Sequence, residues 1–175
     1  VLVIIFLEKL KIGSMYGVLG FYELPEYVSV LFTVFVVIVI INAFNLIDGI
    51  DGLAAGIGVI SSIAFGIVSY LMNQIDMAII AFTLTGSLLG FLKYNFSPAR
   101  IFMGDTGSLV IGMIFSILAI NLIEYGIVYE DICFPNKGPL LAIVFLSLPL
   151  FDSLRVFLNR VKKGRHPLLP GKDHV

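Results

Sequence analysis

Long apolar runs separated by short polar segments dominate the chain. Five of these runs have spanning length, which for a membrane helix is about 20 residues with some variation. They occupy residues 28–44, 53–72, 77–91, 108–128 and 138–158, and each is closed by Gly, Pro, Asn or charge. A shorter apolar stretch at 1–7 precedes them. The pattern predicts an all-α, polytopic transmembrane helix bundle with about five full spans and an N-terminal stub.

The runs do not have the pattern of membrane strands. Strands of a membrane barrel alternate apolar and polar residues in segments of about ten, whereas the stretch VFVVIVII at 34–41 is apolar on every side. The second and third runs are joined only by residues 73–76, so the two helices should be antiparallel neighbours. Glycines and aromatic residues in 13–25 favour a small hairpin on the outer side.

The basic residues give the bundle an orientation. When the loops are assigned to faces by counting crossings, only three of the 11 basic residues fall on one face. Basic loops stay on the cytoplasmic side of a membrane, so the loops 45–52, 94–106 and 159–175 are predicted to be cytoplasmic. The basic residues of that face are Lys93, Arg100, Arg155, Arg160, Lys162, Lys163, Arg165 and Lys172.

The amino-acid composition excludes several other classes of protein. The chain has 175 residues, 59% of them hydrophobic and only 13% charged, with a formal net charge of −1. A soluble domain of this size cannot bury so much apolar surface, so 1–175 is interpreted as a single transmembrane domain. No basic stripe is present, which excludes nucleic acid as a partner. The single cysteine, Cys133, allows no internal disulfide and lies far in sequence from both histidines.

A first polar cluster, NAFNLIDGIDGLAAG at 42–56, lies where one span ends and the next begins. Asn42, Asn45 and Asp48 are three apart, so they share one helix face, and Asp51 follows after a glycine. A single Asp-Gly would be explained by helix capping and turning. Two amides and two carboxylates within ten residues favour a binding role instead, because a carboxylate pointing into lipid costs about 2.5–3.5 kcal/mol. The ligand spacing of an EF-hand is missing.

A second cluster, FMGDTGSL at 102–109, opens the fourth span from the same face. Asp105 or Thr106 can cap the helix, and Gly104 and Gly107 leave backbone N–H groups open to an oxyanion. Such a helix N-terminus suits phosphate or metal-bound phosphate, although a plain cap explains the residues equally well. Phe102 taken alone is more typical of a lipid-facing or core residue than of a stacking platform.

A third cluster, RVKKGRHPLLPGKDHV at 160–175, is basic and rich in proline. Lys162 and Lys163 are best explained as a positive-inside anchor. Arg165, His166 and His174 are spaced for a folded loop that could bind pyrophosphate through charge-assisted hydrogen bonds.

Together, the polar residues of the three clusters are of the types that bind phosphate groups. Carboxylates, an amide, a helix N-terminus and basic groups on one face suit Mg²⁺ holding a phosphorylated substrate, which is what phosphoryl transfer requires. A transporter or channel with Asp48, Asp51 and Asp105 along an ion path is the alternative, but its acidic groups should lie near the bilayer midplane. A purely structural membrane module leaves the carboxylates unexplained. Glu124 and Asp152 are assigned to structure, the latter paired with Arg155.

The first two motifs, about fifty residues apart, and the basic histidine loop resemble the polyprenyl-phosphate N-acetylhexosamine-1-phosphate transferases. The resemblance implies an enzyme that transfers a sugar-1-phosphate, expected to be GlcNAc-1-phosphate, from a UDP-sugar to undecaprenyl or another polyprenyl phosphate, with release of UMP. It also implies Mg²⁺, or Mn²⁺ in its place, and a cytoplasmic active face in the bacterial inner membrane. The segment HPLLPGKDH is similar to the undecaprenyl-phosphate GlcNAc-1-phosphate transferase branch rather than the phospho-MurNAc-pentapeptide branch. The step expected is the first membrane step of cell-envelope polysaccharide synthesis, including lipopolysaccharide, and a homodimer is compatible with it.

The resemblance also implies roles for single residues. Asp105 is expected to be the Mg²⁺ ligand, with Asn45 as a second ligand or a pyrophosphate contact. Asp48 would lie beside the phosphates, Asp51 would bind the uracil edge, and Phe102 would stack on uracil. The remaining substrate-binding residues are expected to be Gly104, Arg165, Lys172 and His174.

The chain departs from the family's pattern at two places. The adjacent aspartates that the family carries in an earlier cytoplasmic loop are absent from 1–175, and the terminal histidine motif stops at His174. The expectation is therefore a fragment that lacks the N-terminal spans and the extreme C-terminus, and that is catalytically inactive or very weak by itself.

Overall fold

The computed structural model describes residues 10–16, 22–128 and 137–162. The ranges 22–128 and 137–162 are mainly helical, and the β pairing of the described residues is limited to one isolated bridge. Four of the helices are long and apolar enough to cross a membrane, and a bent pair makes a fifth candidate span. The predicted all-helical, polytopic bundle is thereby confirmed. The helices are α1 (Glu26–Ile47), α2 (Leu53–Leu71), α3 (Ile75–Asn95), α4 (Gly104–Val128), α5 (Gly138–Phe145) and α6 (Ser147–Lys162).

Helices α2 and α3 form the antiparallel pair that the short connection predicts. Small residues let them pack closely, because a Cβ on Gly66 would lie only 2.7 Å from the ring of Phe82. The Oγ of Ser62 and the Oγ1 of Thr85 are 2.7 Å apart and buried between the two helices. Small residues and hydroxyl pairs of this kind are the usual means by which helices associate in a bilayer.

An aromatic cluster joins four helices in the core. Phe44 of α1 stacks on Phe115 of α4, with ring centroids 4.7 Å apart. Phe65 of α2 lies 6.0 Å from Phe115 and meets Phe145 of α5 edge-on at 5.1 Å. Because Phe44, Phe65 and Phe115 are all fully buried, this cluster fixes α1, α2 and α4 relative to each other, and Phe44 itself belongs to the first polar motif.

The fifth apolar run, 138–158, does not form the single helix that its pattern predicts. It breaks at Leu146, where α5 and the first part of α6 meet at an angle of 67°. Pro149 explains the break, because it has no N–H to donate to the carbonyl oxygen of Phe145 four residues earlier. Ser61 of α2 donates to that oxygen instead, at 2.7 Å. The carbonyl group is thus satisfied from a neighbouring helix, as buried backbone in a bilayer requires.

The predicted hairpin at 13–25 is confirmed for its described parts. Ser14 pairs with Glu23 in an antiparallel bridge. Met15 N–H donates to the Tyr22 carbonyl group at 3.0 Å, and the next bond is from Leu24 N–H to the Gly13 carbonyl group at 2.9 Å.

The hairpin is anchored to the ends of two helices. Ile12 is buried, and its N–H donates to Thr33 Oγ1 of α1 at 2.9 Å, while Ser29 Oγ donates to its carbonyl oxygen at 2.6 Å. Gly13 N–H donates to the Glu124 carboxylate of α4 at 2.8 Å. The structural role predicted for Glu124 is therefore confirmed, and the hairpin lies at the end of the bundle opposite the first two polar motifs.

Candidate active site

The geometry of the site begins with the contact between α1 and α4. A Cβ on Gly112 would lie 2.7 Å from the Cα of Ile41, so the two backbones approach as closely as glycine permits. The helices are antiparallel, and one turn further along, Asn45 of α1 meets Ser108 of α4. One more turn brings Asp48 to Gly104. The close approach in the core thus places the end of α1 against the first turn of α4.

Asn45 connects these two helix ends through its side chain. Its amide nitrogen donates to Asp105 Oδ1 at 3.2 Å and to Ser108 Oγ at 3.0 Å. Ser108 is fully buried, and its hydroxyl lies 3.2 Å and 3.1 Å from the carbonyl oxygens of Gly104 and Asp105. This network holds Asp105 at the N-terminus of α4, where the helix dipole favours negative charge.

Asp48 and Asp105 lie together, as the motif spacing predicts. Burial raises the pKa of Asp48, hydrogen bonding to the Gly104 N–H opposes the rise, and the negative charge of Asp105 adds to it. Gly104 has a φ of +66°, a left-handed conformation that favours glycine. Two carboxylates from different spans therefore share one partly solvated site.

Asn95 is a site-forming residue that the sequence analysis missed. It is buried at the end of α3 and joins two loops, because its Oδ1 accepts from Gly52 N–H at 3.0 Å and its Nδ2 donates to the Ile101 carbonyl oxygen at 2.9 Å. Asp51 makes the neighbouring link, with its Oδ2 accepting from Ala99 N–H at 3.0 Å. The loops 48–52 and 96–103 thus lie at the same end of the bundle, as predicted.

Of the other predicted site residues, one lies at the edge of the site, one points away from it, and three lie outside the described residues. Phe102 is 76% exposed at the site's edge, next to the α4 N-terminus. Asn42 does not join the cluster, because its side chain is exposed and donates to the Ile38 carbonyl oxygen of its own helix. The predicted phosphate contacts of the third cluster, Arg165, Lys172 and His174, lie outside the described residues.

The donor set fits a Mg²⁺ ion that also binds substrate phosphate. In the described part of the chain, no group of three or more His, Cys, Asp and Glu side chains converges on one point. Mg²⁺ is commonly held by one or two carboxylates, with waters and phosphate oxygens completing its shell. Asp48 and Asp105 supply two carboxylates whose mutual repulsion a divalent cation would relieve. The amide of Asn45 presents its nitrogen to Asp105, so its oxygen is directed elsewhere.

Comparison with known proteins identifies the family. The sequence profile described as glycosyl transferase family 4 matches residues 1–123, well over half of the chain. The chain belongs to glycosyl transferase family 4. The matched region contains both polar motifs and all of the described site residues.

Several curated proteins are similar to this chain over different lengths. A decaprenyl-phosphate N-acetylglucosaminephosphotransferase of Mycolicibacterium smegmatis is 36% identical over 91% of this chain and 42% of its own length. A probable undecaprenyl-phosphate N-acetylglucosaminyl 1-phosphate transferase of Bacillus subtilis is 36% identical, over 70% of this chain and 32% of its own. A phospho-N-acetylmuramoyl-pentapeptide-transferase of Listeria welshimeri is 39% identical over 65% of this chain and 32% of its own length. The chain spans less than half the length of these relatives.

Removing the charge of Asp48 should stabilise this family 4 chain when no divalent cation is present. Because the pKa of Asp48 is raised in the folded state, its ionised form weakens folding above that pKa, and the effect disappears at lower pH. Asp48→Asn should therefore raise the unfolding temperature slightly at neutral pH and match the wild type near pH 4, about the ordinary carboxyl pKa. Thermal unfolding in detergent with a chelator measures this difference. A less stable Asp48→Asn protein at neutral pH would contradict the expectation.

Proposed function

We propose that the protein transfers GlcNAc-1-phosphate from UDP-GlcNAc to undecaprenyl phosphate, or another polyprenyl phosphate, with release of UMP. The observation that carries this proposal is the convergence of Asp48 and Asp105 from two spans at the N-terminus of α4. Family membership and the names of the relatives support the reaction class. Since the chain contains several helices of spanning length, a membrane lipid is a natural acceptor.

The proposed reaction is a displacement at phosphorus. An oxygen of the lipid phosphate attacks the phosphorus that carries the sugar, and the bond from that phosphorus to the oxygen of UMP breaks. Both reactants are anionic, so the protein's task is to position them and to neutralise charge. The first-turn N–H groups of α4 that follow Gly104 and the helix dipole would contribute to that neutralisation. Asp48 and Asp105 would hold the cation that contributes the rest.

Mg²⁺ is the proposed cation, with Mn²⁺ as the alternative, and it would supply charge neutralisation on the pyrophosphate. Asp105 is the proposed ligand, and Asn45 positions it through the hydrogen bond from its amide nitrogen. Asn45 would itself become a ligand only with its amide turned to present oxygen. Asp48 is the partner carboxylate, because it accepts from Gly104 N–H and faces Asp105.

The uridine is proposed to bind at the rim formed by the loops 48–52 and 96–103. Phe102 offers an exposed ring for stacking, and Asp51 has a carboxylate oxygen beyond the one bound to Ala99 that can accept from a uracil N–H. From the family resemblance, Arg165, Lys172 and His174 would contact the pyrophosphate. The matched relatives bear names from both branches of the family, and the segment HPLLPGKDH supports the GlcNAc branch.

The proposal extends to the setting of the reaction. The positive-inside pattern supports a cytoplasmic active face in the bacterial inner membrane. The step would be the first membrane step of a cell-envelope polysaccharide, such as lipopolysaccharide, and a homodimer is compatible with it.

Equilibrium binding to the purified chain tests the proposal without requiring turnover. Radiolabelled UDP-GlcNAc should bind saturably in the presence of Mg²⁺, and binding should be lost with chelator, displaced by UMP and unaffected by AMP. The same protein in sealed vesicles should transport no Mg²⁺ or protons. Cation flux without nucleotide-sugar binding would overturn the proposal in favour of a transporter, and the absence of both would leave a structural module.

A further inference from the structure

A cavity that is open to the surface lies outside the carboxylate site, at the end of α3. Its volume is about 280 Å³, and it is lined by Lys93, Tyr94, Phe96, Pro98 and Arg100. The wall is the last turn of α3 and the loop that follows it. The loop folds back on the helix, since Arg100 N–H donates to the Tyr94 carbonyl oxygen at 2.8 Å.

The inward side of this loop is fixed by the site residues. Asn95 and Ala99 bond to the loop 48–52 through Gly52 and Asp51. The cavity is lined by residues on either side of them in sequence, so the end of α3 and its loop carry two separate surfaces. Phe96 is 69% exposed on the cavity side.

The cavity carries positive charge without acidic partners. Among the described residues, no carboxylate forms an ion pair with Lys93 or Arg100. Lys93 Nζ lies 5.7 Å from the centre of the Tyr94 ring, which keeps the ammonium group against the cavity wall. The C-terminus of α3 contributes only about half a negative charge, and the Asp51 carboxylate bound to Ala99 N–H contributes one more, so the two cations leave the cavity with a small net positive charge that attracts an anion.

The position of the cavity specifies the kind of anion. Lys93 and Tyr94 belong to the last turn of a helix with the length and apolarity of a membrane span. Basic and aromatic residues at the end of a span lie at the level of lipid headgroups. A cavity with two cations and two aromatic rings at this level is complementary to a phosphodiester with an acyl chain entering the bilayer beside it.

We propose that this cavity binds the headgroup of an anionic phospholipid, such as phosphatidylglycerol, from the same leaflet as the active site. The lipid's phosphate would lie between Lys93 and Arg100. The inference does not rest on the proposed transferase function, because the lining includes neither Asp51 nor Phe102, the two side chains assigned to the uridine, although the loop 96–103 borders both sites.

A single tryptophan can report on this site, because the chain has none of its own. Phe96→Trp keeps an aromatic ring in the cavity wall and places the reporter beside the headgroup. The protein is reconstituted in phosphatidylcholine vesicles with a small fraction of phosphatidylglycerol that carries a spin label near the top of its acyl chain. Labelled phosphatidylglycerol should quench tryptophan fluorescence more strongly than equally labelled phosphatidylcholine, with a preference of about fivefold for each basic side chain.

The matched variants separate the cavity from general surface charge. In the reporter background, Lys93→Gln with Arg100→Gln should bring the preference to about one, whereas Lys93→Arg with Arg100→Lys should retain it. The control, Arg155→Gln with Lys162→Gln, removes two exposed basic residues of α6, both on the same predicted cytoplasmic face, and should change little. Equal quenching by both lipids in the reporter protein, or an equal loss in the control, would overturn the proposal.

Two competitors distinguish the source of the phosphate. Unlabelled phosphatidylglycerol should relieve the quenching, and inorganic phosphate should not. Relief by inorganic phosphate would show a site for a soluble anion, and relief by undecaprenyl phosphate at far lower fractions than phosphatidylglycerol would assign the cavity to the lipid substrate. Either result would overturn the assignment to a phospholipid.

Discussion

Asp105→Asn should lower the Mg²⁺-dependent affinity for UDP-GlcNAc by at least about 100-fold. Loss of a residue that merely supports a metal ligand costs about 10- to 100-fold in metal affinity, and Asp105 is proposed as the ligand itself. Asparagine keeps the size of the side chain and an oxygen that can accept from Asn45, so the α1–α4 link at 3.2 Å should survive. Titration calorimetry or filter binding with labelled UDP-GlcNAc measures the loss.

The control for this variant is Asp152→Asn on α6. Asp152 lies 3.9 Å from Arg155 in a partly exposed pair, and such pairs contribute about 0–1 kcal/mol to stability. The Asp152→Asn variant should therefore bind UDP-GlcNAc with the affinity of the wild type. Equal losses in the two variants would indicate that net charge matters rather than ligation, and an unchanged affinity in Asp105→Asn would remove Asp105 from the cation site. The unfolding temperature of Asp105→Asn verifies that any loss of binding is local.

The features that could be predicted from the sequence are those that depend on the residues of one continuous segment. The apolar runs gave helices of spanning length, and the short link at 73–76 gave the α2–α3 pair. Polar residues that cannot face lipid had to converge on water at the span ends, which is why Asp48 and Asp105 were expected together. Their contact depends on little more than the antiparallel order of α1 and α4.

The features that sequence missed depend on partners distant along the chain. Pro149 alone does not reveal a break, because proline is tolerated in membrane helices when another group satisfies the freed carbonyl group. Here that group is Ser61. Asn95 appears in the sequence as an ordinary helix end, and only its contacts with Gly52 and Ile101 show that it joins two loops. Asn42 shows the opposite case, since its spacing fitted the cluster but its amide bonds locally.

The contact between α1 and α4 makes Gly112 a position where one methyl group should have a large structural effect. Gly112 lies between Ser108 and Ser116 at four-residue intervals, a small-residue pattern typical of close helix packing in membranes. An alanine Cβ would lie 2.7 Å from the Cα and 3.4 Å from the carbonyl oxygen of Ile41. Backbone cannot rotate away as a side chain can, so the helices must separate.

Gly112→Ala should therefore destabilise the fold by about 1–3 kcal/mol, the usual cost of overpacking, and weaken UDP-GlcNAc binding as well. Separation of the helices would lengthen the bonds from Asn45 to Ser108 and from Gly104 to Asp48, one and two turns away. Gly90→Ala on α3 is the matched control, since its Cβ would meet nothing within 4 Å, and alanine is favoured over glycine in a helix by about 0.5–1 kcal/mol. Thermal unfolding and nucleotide-sugar binding measure both effects. If Gly112→Ala were as stable as Gly90→Ala, or lost stability while binding UDP-GlcNAc normally, the site would not depend on this contact.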